Sequence, residues 1–243
     1  MESDRIDFIS AYCDRWCERC AFTARCSLFA VQAAEAMCGD FEEALELAVG
    51  TPHPASNDTP PKRVPEWIAE MESIEAGDSE IVAAMREHEA REEKALALPV
   101  ARLSEAWSLL AARWLQAQDL TLSSQADTVL RADTVLREAI EVAAHDAFLI
   151  HVKLMRALEG RLEFEAGESL VDHPVQNDWN GTAKLALICI ERSEQAWRAI
   201  AQSTGDETPA ILADQLRDLR GLVEAEFPNA QQFVRPGFDE PGS

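Results

Sequence analysis

The chain has 243 residues, of which 47% are hydrophobic, so it is long enough to bury a substantial core. Its 44 acidic and 22 basic residues give a net charge of −22. Such a surface repels the phosphates of nucleic acids and the headgroups of anionic lipids, so we expect neither nucleic acid nor a membrane as a partner.

The first residues, "MESDRIDFISAYCDRW", carry charges where a secretory signal needs an apolar run. No stretch approaches the roughly 18 consecutive apolar residues that a membrane helix requires. We therefore expect a cytoplasmic protein in a reducing compartment, where structural disulfides are uncommon.

The predicted fold class is all-α, because Ala, Leu, Glu and Arg dominate, glycine is scarce and alternating β-branched runs are missing. Helices are expected at 4–20, 27–48 with a break at Gly39, 78–94, 96–119, 125–160, 181–203 and 208–226. The hexapeptide "ADTVLR" occurs twice in tandem, at 126–131 and 132–137, which we interpret as an extension of one helix end.

The domain organisation is predicted in four parts. Residues 1–49 form a cysteine-bearing helical hairpin, and residues 50–65 form a proline-rich connector with five prolines in "GTPHPASNDTPPKRVP". Residues 66–226 form an antiparallel helical bundle, and residues 227–243 form a tail. Phe227, Phe233 and Phe238 are candidates for docking that tail onto the bundle.

Four of the six cysteines lie in the fourteen residues "CDRWCERCAFTARC". On a helix over 4–20, Cys13, Cys17 and Cys20 share one face, and the five residues before Cys26 allow the chain to return a fourth thiol. Four soft ligands of one type favour an iron–sulfur cluster or zinc. Thiols spread over two helical turns fit the larger 4Fe–4S cluster better than a single zinc ion, and a distorted helix would reverse that order.

Other interpretations of the cysteines stay open. Buried thiols without a ligand, or a redox disulfide, are the alternatives to a metal centre. The run C-x3-C-x2-C resembles the cluster motif of radical SAM enzymes, which lies after the first strand of a β/α barrel. We do not expect that chemistry, because strands and a "GGE"-like stretch are missing and Cys26 is able to close the open coordination site.

The stretch "YCDRWCERCAFTARC" also resembles the opening of uncharacterised bacterial helical proteins, a resemblance that implies no activity. The two remaining cysteines are treated separately. Cys189, in "LALICI", is expected in the core, whereas Cys38 beside Gly39 is a candidate for a position near the cluster.

The segment 137–161 is more apolar than a surface helix, so it is expected to run through the middle of the bundle. A polar stripe on it offers two interpretations: a solvated face with ion pairs, or a pocket with acid/base or metal-binding groups and an anion site. The candidate residues of that pocket are Glu141, His145, Lys153 and Arg156.

Three further residue predictions concern the bundle. His151 is expected to be a hydrogen-bonded core histidine, and Asp178 or Asn180 is expected to cap the next helix. Arg192 lies near an apolar border, so we expect it to pair with Asp178 or with a carboxylate of the central helix.

The sequence thus favours a metal-binding helical protein, an iron–sulfur protein with a redox, sensing or accessory role. The alternatives are a zinc-stabilised interaction module without catalysis and an enzyme with a pocket on the central helix. A protein or redox partner is expected, and the sequence predicts neither a reaction nor an oligomeric state.

Overall fold

The computed structural model of the chain describes residues 5–50, 78–124, 134–167 and 173–239. Within these ranges the chain forms seven α-helices and no strand, which confirms the all-α prediction. In chain order they are α1 (Ser27–Cys38), α2 (Phe41–Val49), α3 (Asp78–Ala97), α4 (Pro99–Ser124), α5 (Thr134–Glu165), α6 (Asp178–Thr204) and α7 (Glu207–Glu226).

The predicted break between α1 and α2 is present. Gly39 has a left-handed backbone with φ of 76° and ends α1, and its amide donates to the carbonyl of Glu35. Asp40 then caps α2 by accepting from the amide of Glu43. A glycine followed by an aspartate therefore supplies both the stop and the start that make this pair a helical hairpin.

The predicted helix over 4–20 is wrong. This segment instead forms three short 3-10 turns, at Ile9–Tyr12, Cys17–Arg19 and Thr23–Arg25, joined by extended residues. Cysteine and aromatic residues are weak helix formers, and the Asp14 side chain bonds the nearby amide of Trp16. Local side-chain bonding therefore competes with the helix here, and the thiols precede the helical hairpin.

The chain divides into two compact units, residues 1–90 and 91–243, and the division falls within α3. Apart from Gly50, the predicted connector at 50–65 lies outside the described residues, as do the first copy of "ADTVLR" and the start of the second. No single helix of the described ranges is apolar over enough residues to cross a membrane. The bent pair 81–97 and 99–118 reaches that threshold only when its two helices are counted together.

Helices α4 to α7 form an antiparallel four-helix bundle in the second unit. Each helix packs against the next along the chain, and α4 also packs against α7. Two contacts show that α4 and α7 are antiparallel. Trp107 donates to the carbonyl of Leu212 at 3.2 Å, and further along α4 Trp114 donates to Asp206, the N-cap of α7, at 2.6 Å. The predicted bundle is therefore confirmed as a fold.

Two tryptophans dominate the core of the bundle. Trp107 and Trp197 are fully buried, and Trp114 packs edge-on against Trp197 with ring centroids 5.3 Å apart. An edge-to-face aromatic pair contributes about 0.5–1.5 kcal/mol beyond the area that it buries. The tryptophans thereby join α4 to α6 across the centre of the bundle.

The cap of α6 differs by one residue from the prediction. Asn177, not Asp178 or Asn180, is the N-cap, and its side chain accepts from the amide of Asn180. The tail docks onto the bundle as predicted for Phe227 and Phe233, which are 2% and 4% exposed.

Candidate metal centre

Each of the four clustered cysteines occupies the edge of a turn. Cys13 is extended and follows the first 3-10 turn, Cys17 begins the second turn, and Cys20 follows it in an extended conformation. Cys26 follows the third turn and is also the N-cap of α1. The thiols therefore lie on a folded loop, residues 5–26, which we call the thiol loop. Its backbone is not constrained to the geometry of an α-helix.

The four-residue step from Cys13 to Cys17 is bent by two local features. Arg15 has a left-handed backbone with φ of 62°, which a residue with a Cβ atom seldom adopts. Beside it the amide of Trp16 donates to Asp14 Oδ1 at 3.1 Å. The sequence analysis missed this role of Asp14, although an aspartate that bonds its own backbone two residues on is a known turn signal.

The step from Cys17 to Cys20 is a tight turn closed by the amide of Cys20, which donates to the carbonyl of Cys17 at 3.2 Å. The amide of Phe22 then donates to the sulfur of Cys20 at 3.4 Å. An amide that bonds a sulfur stabilises negative charge on it, as a metal-bound thiolate requires.

The thiols are close enough for their charges to interact. The pKa of Cys17 is raised above its ordinary value of 9.0, first by burial and then by the negative charges of Cys13, Cys20 and Cys26, with a smaller effect from Glu18. The raised pKa favours the neutral thiol of Cys17, and a cation shared by the four sulfurs would oppose that shift and favour the thiolate. All four side chains are half-buried, so they remain accessible from solvent.

Residues 5–26 carry four basic and three acidic side chains, whereas the chain as a whole is acidic. All basic residues of the described range 5–50 precede Cys26, and they are Arg5, Arg15, Arg19 and Arg25. Cys26 itself lies at the N-terminus of α1, where the helix dipole favours negative charge. The thiol loop is thus electrostatically distinct from the acidic remainder of the chain.

The loop is anchored to the α1–α2 hairpin. The amide of Ile6 donates to the carbonyl of Arg25 at 3.0 Å, and the guanidinium of Arg5 bonds the carbonyl of Ala48 at the end of α2. Ile9 is buried, and so are Val31 of α1 and Ala44 of α2. The thiol loop and the hairpin therefore fold as one structure.

Within the described residues, no group of three or more His, Cys, Asp or Glu side chains has an arrangement that could hold a metal ion. The local folding brings the four thiols into electrostatic range of one another, and a metal centre at Cys13, Cys17, Cys20 and Cys26 stays a prediction.

The two other cysteines lie elsewhere. Cys38 ends α1 twelve residues after Cys26, which places it about 18 Å along the helix from the thiol loop. Its thiol bonds the carbonyl of Asp40 at 3.2 Å. Cys189 is fully buried in the bundle core, as predicted.

The four candidate pocket residues on α5 are spread along one continuous helix. Glu141 and Arg156 are separated by fifteen residues, or about 22 Å of helix axis. Both are half exposed, and each has an ion-pair partner, Arg137 and Asp178 respectively. His145 is partly exposed and Lys153 is buried. The four side chains therefore do not converge on one site.

Two of the predicted bundle contacts are confirmed. Arg192 forms a two-point ion pair with the central-helix carboxylate of Asp146, at 2.6 and 2.8 Å. His151 Nδ1 lies 3.0 Å from the hydroxyl of the buried Ser104. Burial lowers the pKa of His151, while the charge of Glu105 opposes that shift.

No family model, curated protein or solved structure matches the chain.

Proposed function

We propose that residues 13–26 form a four-cysteine metal centre that holds an iron–sulfur cluster of the 4Fe–4S type, with a redox, sensing or accessory role. The proposal is carried by one observation: three short turns fold the four cysteines of residues 13–26 onto a single loop, with each cysteine at the edge of a turn. Cys13, Cys17, Cys20 and Cys26 are the ligands.

The density of the cysteines supports iron, and the surroundings of the thiols support a metal centre of either kind. Three cysteines within eight residues are as dense as the runs that hold cubane clusters in ferredoxins. The hydrogen bond from the amide of Phe22 to the sulfur of Cys20 and the position of Cys26 at the start of α1 both stabilise negative charge on these thiols. Hydrogen bonds to sulfur also tune the reduction potential of such a cluster.

A zinc-stabilised interaction module is the second candidate, and one observation favours it. Cys17 and Cys20 flank a single tight turn, which is the spacing that zinc knuckles use. The helical spacing that favoured a cubane over zinc is also replaced by turns.

The wider setting follows from the charge of the chain. A protein or redox partner, rather than nucleic acid or a membrane, suits a chain with net charge −22, and a reducing cytoplasm suits free thiols. An enzyme with a pocket on α5 is not proposed, because Glu141 and Arg156 lie far apart on that helix.

The test is metal and sulfide analysis of anaerobically purified protein. A 4Fe–4S centre predicts a brown protein with iron and inorganic sulfide in equal amounts, and Cys17→Ala and Cys26→Ala each lose both. Cys38→Ala is the matched control, because this thiol lies outside the loop, and it retains the full content.

The other outcomes decide between the candidates. A colourless protein with one zinc per chain that is lost in the same two variants replaces iron by zinc. Wild-type protein with neither metal, even after anaerobic reconstitution with iron and sulfide or with zinc, removes the metal centre altogether.

A further inference from the structure

The outer face of α4 and α5 exposes large apolar side chains. Leu109 of α4 is 53% exposed, and Phe148 and Val152 of α5 are 71% and 41% exposed. Ala112 and Ala144 are also exposed on these two helices. Clustered exposed apolar side chains on a folded unit are typical of an interaction surface.

Two contacts fix the register of these helices. The hydroxyl of Ser108 donates to the carbonyl of Ala147 at 2.6 Å, and one turn earlier Ser104 lies against His151. Each step forward along α4 is thus one step back along α5. Leu109 therefore lies level with Asp146, and the exposed apolar residues of both helices lie on either side of that level.

On α4 two opposite charges lie at equal distances on either side of this level. Glu105 and Arg113 are exposed, and they lie one helical turn before and one turn after Leu109 on the same face. The two are eight residues, or about 12 Å, apart, too far to pair within one helix. Their charges are opposite, so an antiparallel copy of α4 centred on Leu109 brings Glu105 against Arg113 at both ends.

On α5 a small and a large side chain lie at equal distances on either side of the same level. Ala144 lies two residues before Asp146 and Phe148 lies two residues after it, and both are exposed on one face of the helix. An antiparallel copy of α5 centred there brings the large ring of Phe148 against the small Ala144, again at both ends.

We propose that this α4–α5 face is the interface of a homodimer, with a two-fold axis perpendicular to the helices at the level of Leu109. The centre derived from the charges of α4 and the centre derived from the side-chain sizes of α5 coincide through the Ser108–Ala147 register. A two-fold interface requires such self-complementarity, whereas a different partner does not.

The charge balance of the face permits this pairing despite the net charge of the chain. Each copy contributes one glutamate and one arginine around a leucine, so the approach of a second copy adds no like-charge contact at this place. The apolar side chains supply the buried centre of the interface, and the paired charges form its rim.

The test is the molar mass of the full-length chain by sedimentation equilibrium. Wild type is expected to dimerise. Arg113→Glu sets two glutamates against each other at both ends and is expected to weaken dimerisation at least about tenfold, and Glu105→Arg does the same with two arginines. The double variant Glu105→Arg/Arg113→Glu restores both pairs and the dimer.

Arg102→Glu is the matched control, because it changes the net charge as Arg113→Glu does while facing an uncharged Gln116 in the proposed pairing. It is expected to leave the dimer intact, and Phe148→Asp is expected to abolish it, with helicity unchanged in both by circular dichroism. A wild type that stays monomeric up to roughly 1 mM overturns the proposal. So does a dimer that Arg113→Glu and Phe148→Asp leave unaffected, or one that the double variant fails to restore.

Discussion

At the scale of single residues, the ion pair between Asp146 and Arg192 buries a carboxylate in the core of the bundle. Asp146 is 0% exposed, whereas Arg192 retains 28% exposure. A carboxylate taken out of water is tolerated because the guanidinium meets both of its oxygens. The pair therefore holds α5 to α6 in one register.

Removing the arginine takes away the guanidinium that contacts both oxygens of this buried carboxylate. We expect Arg192→Met to lower the free energy of unfolding by about 3 kcal/mol, the lower part of the range for a broken buried pair, since Arg192 is partly exposed. The double variant Asp146→Leu/Arg192→Met is expected to regain most of this loss, because no buried charge is left. Urea unfolding measures both.

Arg156→Met is the control, since the Arg156–Asp178 pair is 48% and 45% exposed. It is expected to cost less than about 1 kcal/mol. Equal losses in Arg192→Met and Arg156→Met would contradict the role of burial.

Some residue contacts follow from the sequence and others do not. The pairing of Arg192 was predictable, because a helical projection places it at an apolar border where a lone charge is costly. The bond from Ser108 to the carbonyl of Ala147 was not, because serine bonds backbone groups in many settings and only the packing of two helices selects one.

At the scale of elements, the tail is fastened to α6 by Asp239. Its carboxylate accepts from Lys184 at 2.7 Å and from Arg235 at 2.9 Å. Burial by itself raises the pKa of Asp239, but the hydrogen bonds from Arg235 and Lys184 outweigh it and hold the pKa well below 3.8. The folded tail therefore binds a proton less readily than the free chain.

The sign of the resulting pH dependence is fixed. This contribution is fully present above pH 3.8 and is lost as the pH falls towards the lower pKa of the folded state. We expect Asp239→Asn to weaken tail docking by about 1–2 kcal/mol at neutral pH and to remove this acid sensitivity. Hydrogen exchange of residues 227–239, corrected for intrinsic rates, measures both effects.

Asp214→Asn is the control for the tail, since Asp214 also bonds arginines but is 55% exposed. Hydrogen exchange of the tail in this variant is expected to match that of the wild type. Retained tail protection in Asp239→Asn would show that Phe227 and Phe233 hold the tail without the ion pairs.

The predictability of the helices depends on how much their local signals agree. The starts and ends of α6 and α7 are close to their predictions, because caps, glycine and apolar spacing coincide there. Residues 4–20 lack that agreement: Asp14 bonds its own loop, and Phe8 and Arg15 take left-handed conformations that end any helix.

At the scale of the whole molecule, the thiol loop and the bundle core use different residues. The loop contains no α-helix, and none of its four cysteines belongs to the core of α4 to α7. We expect replacement of all four loop cysteines by serine to leave the helicity and the thermal unfolding of residues 91–243 nearly unchanged. Hydrogen exchange is expected to rise only within residues 5–50.

Replacing Trp16 and Trp67 by phenylalanine removes the tryptophans that precede residue 91. In that background the fluorescence of the buried Trp107 and Trp197 follows the unfolding of the bundle. A cooperative loss of the bundle signal in the four-serine variant would contradict this separation.

The outer face of α5 is more exposed than the sequence predicted. Its apolar character indicated a helix in the middle of the bundle, yet Phe148 is 71% exposed. Apolar residues predict that a helix face is buried. The pattern is the same whether the face packs within its own chain or against a second chain.

Cys26 belongs to two structures at once, as the last thiol of the loop and as the N-cap of α1. Because α1 is one continuous helix, a displacement of its N-cap shifts the whole helix, including the turn at Gly39 about 20 Å away. A chemical change at Cys26 is thereby transmitted to the far end of α1, outside the thiol loop.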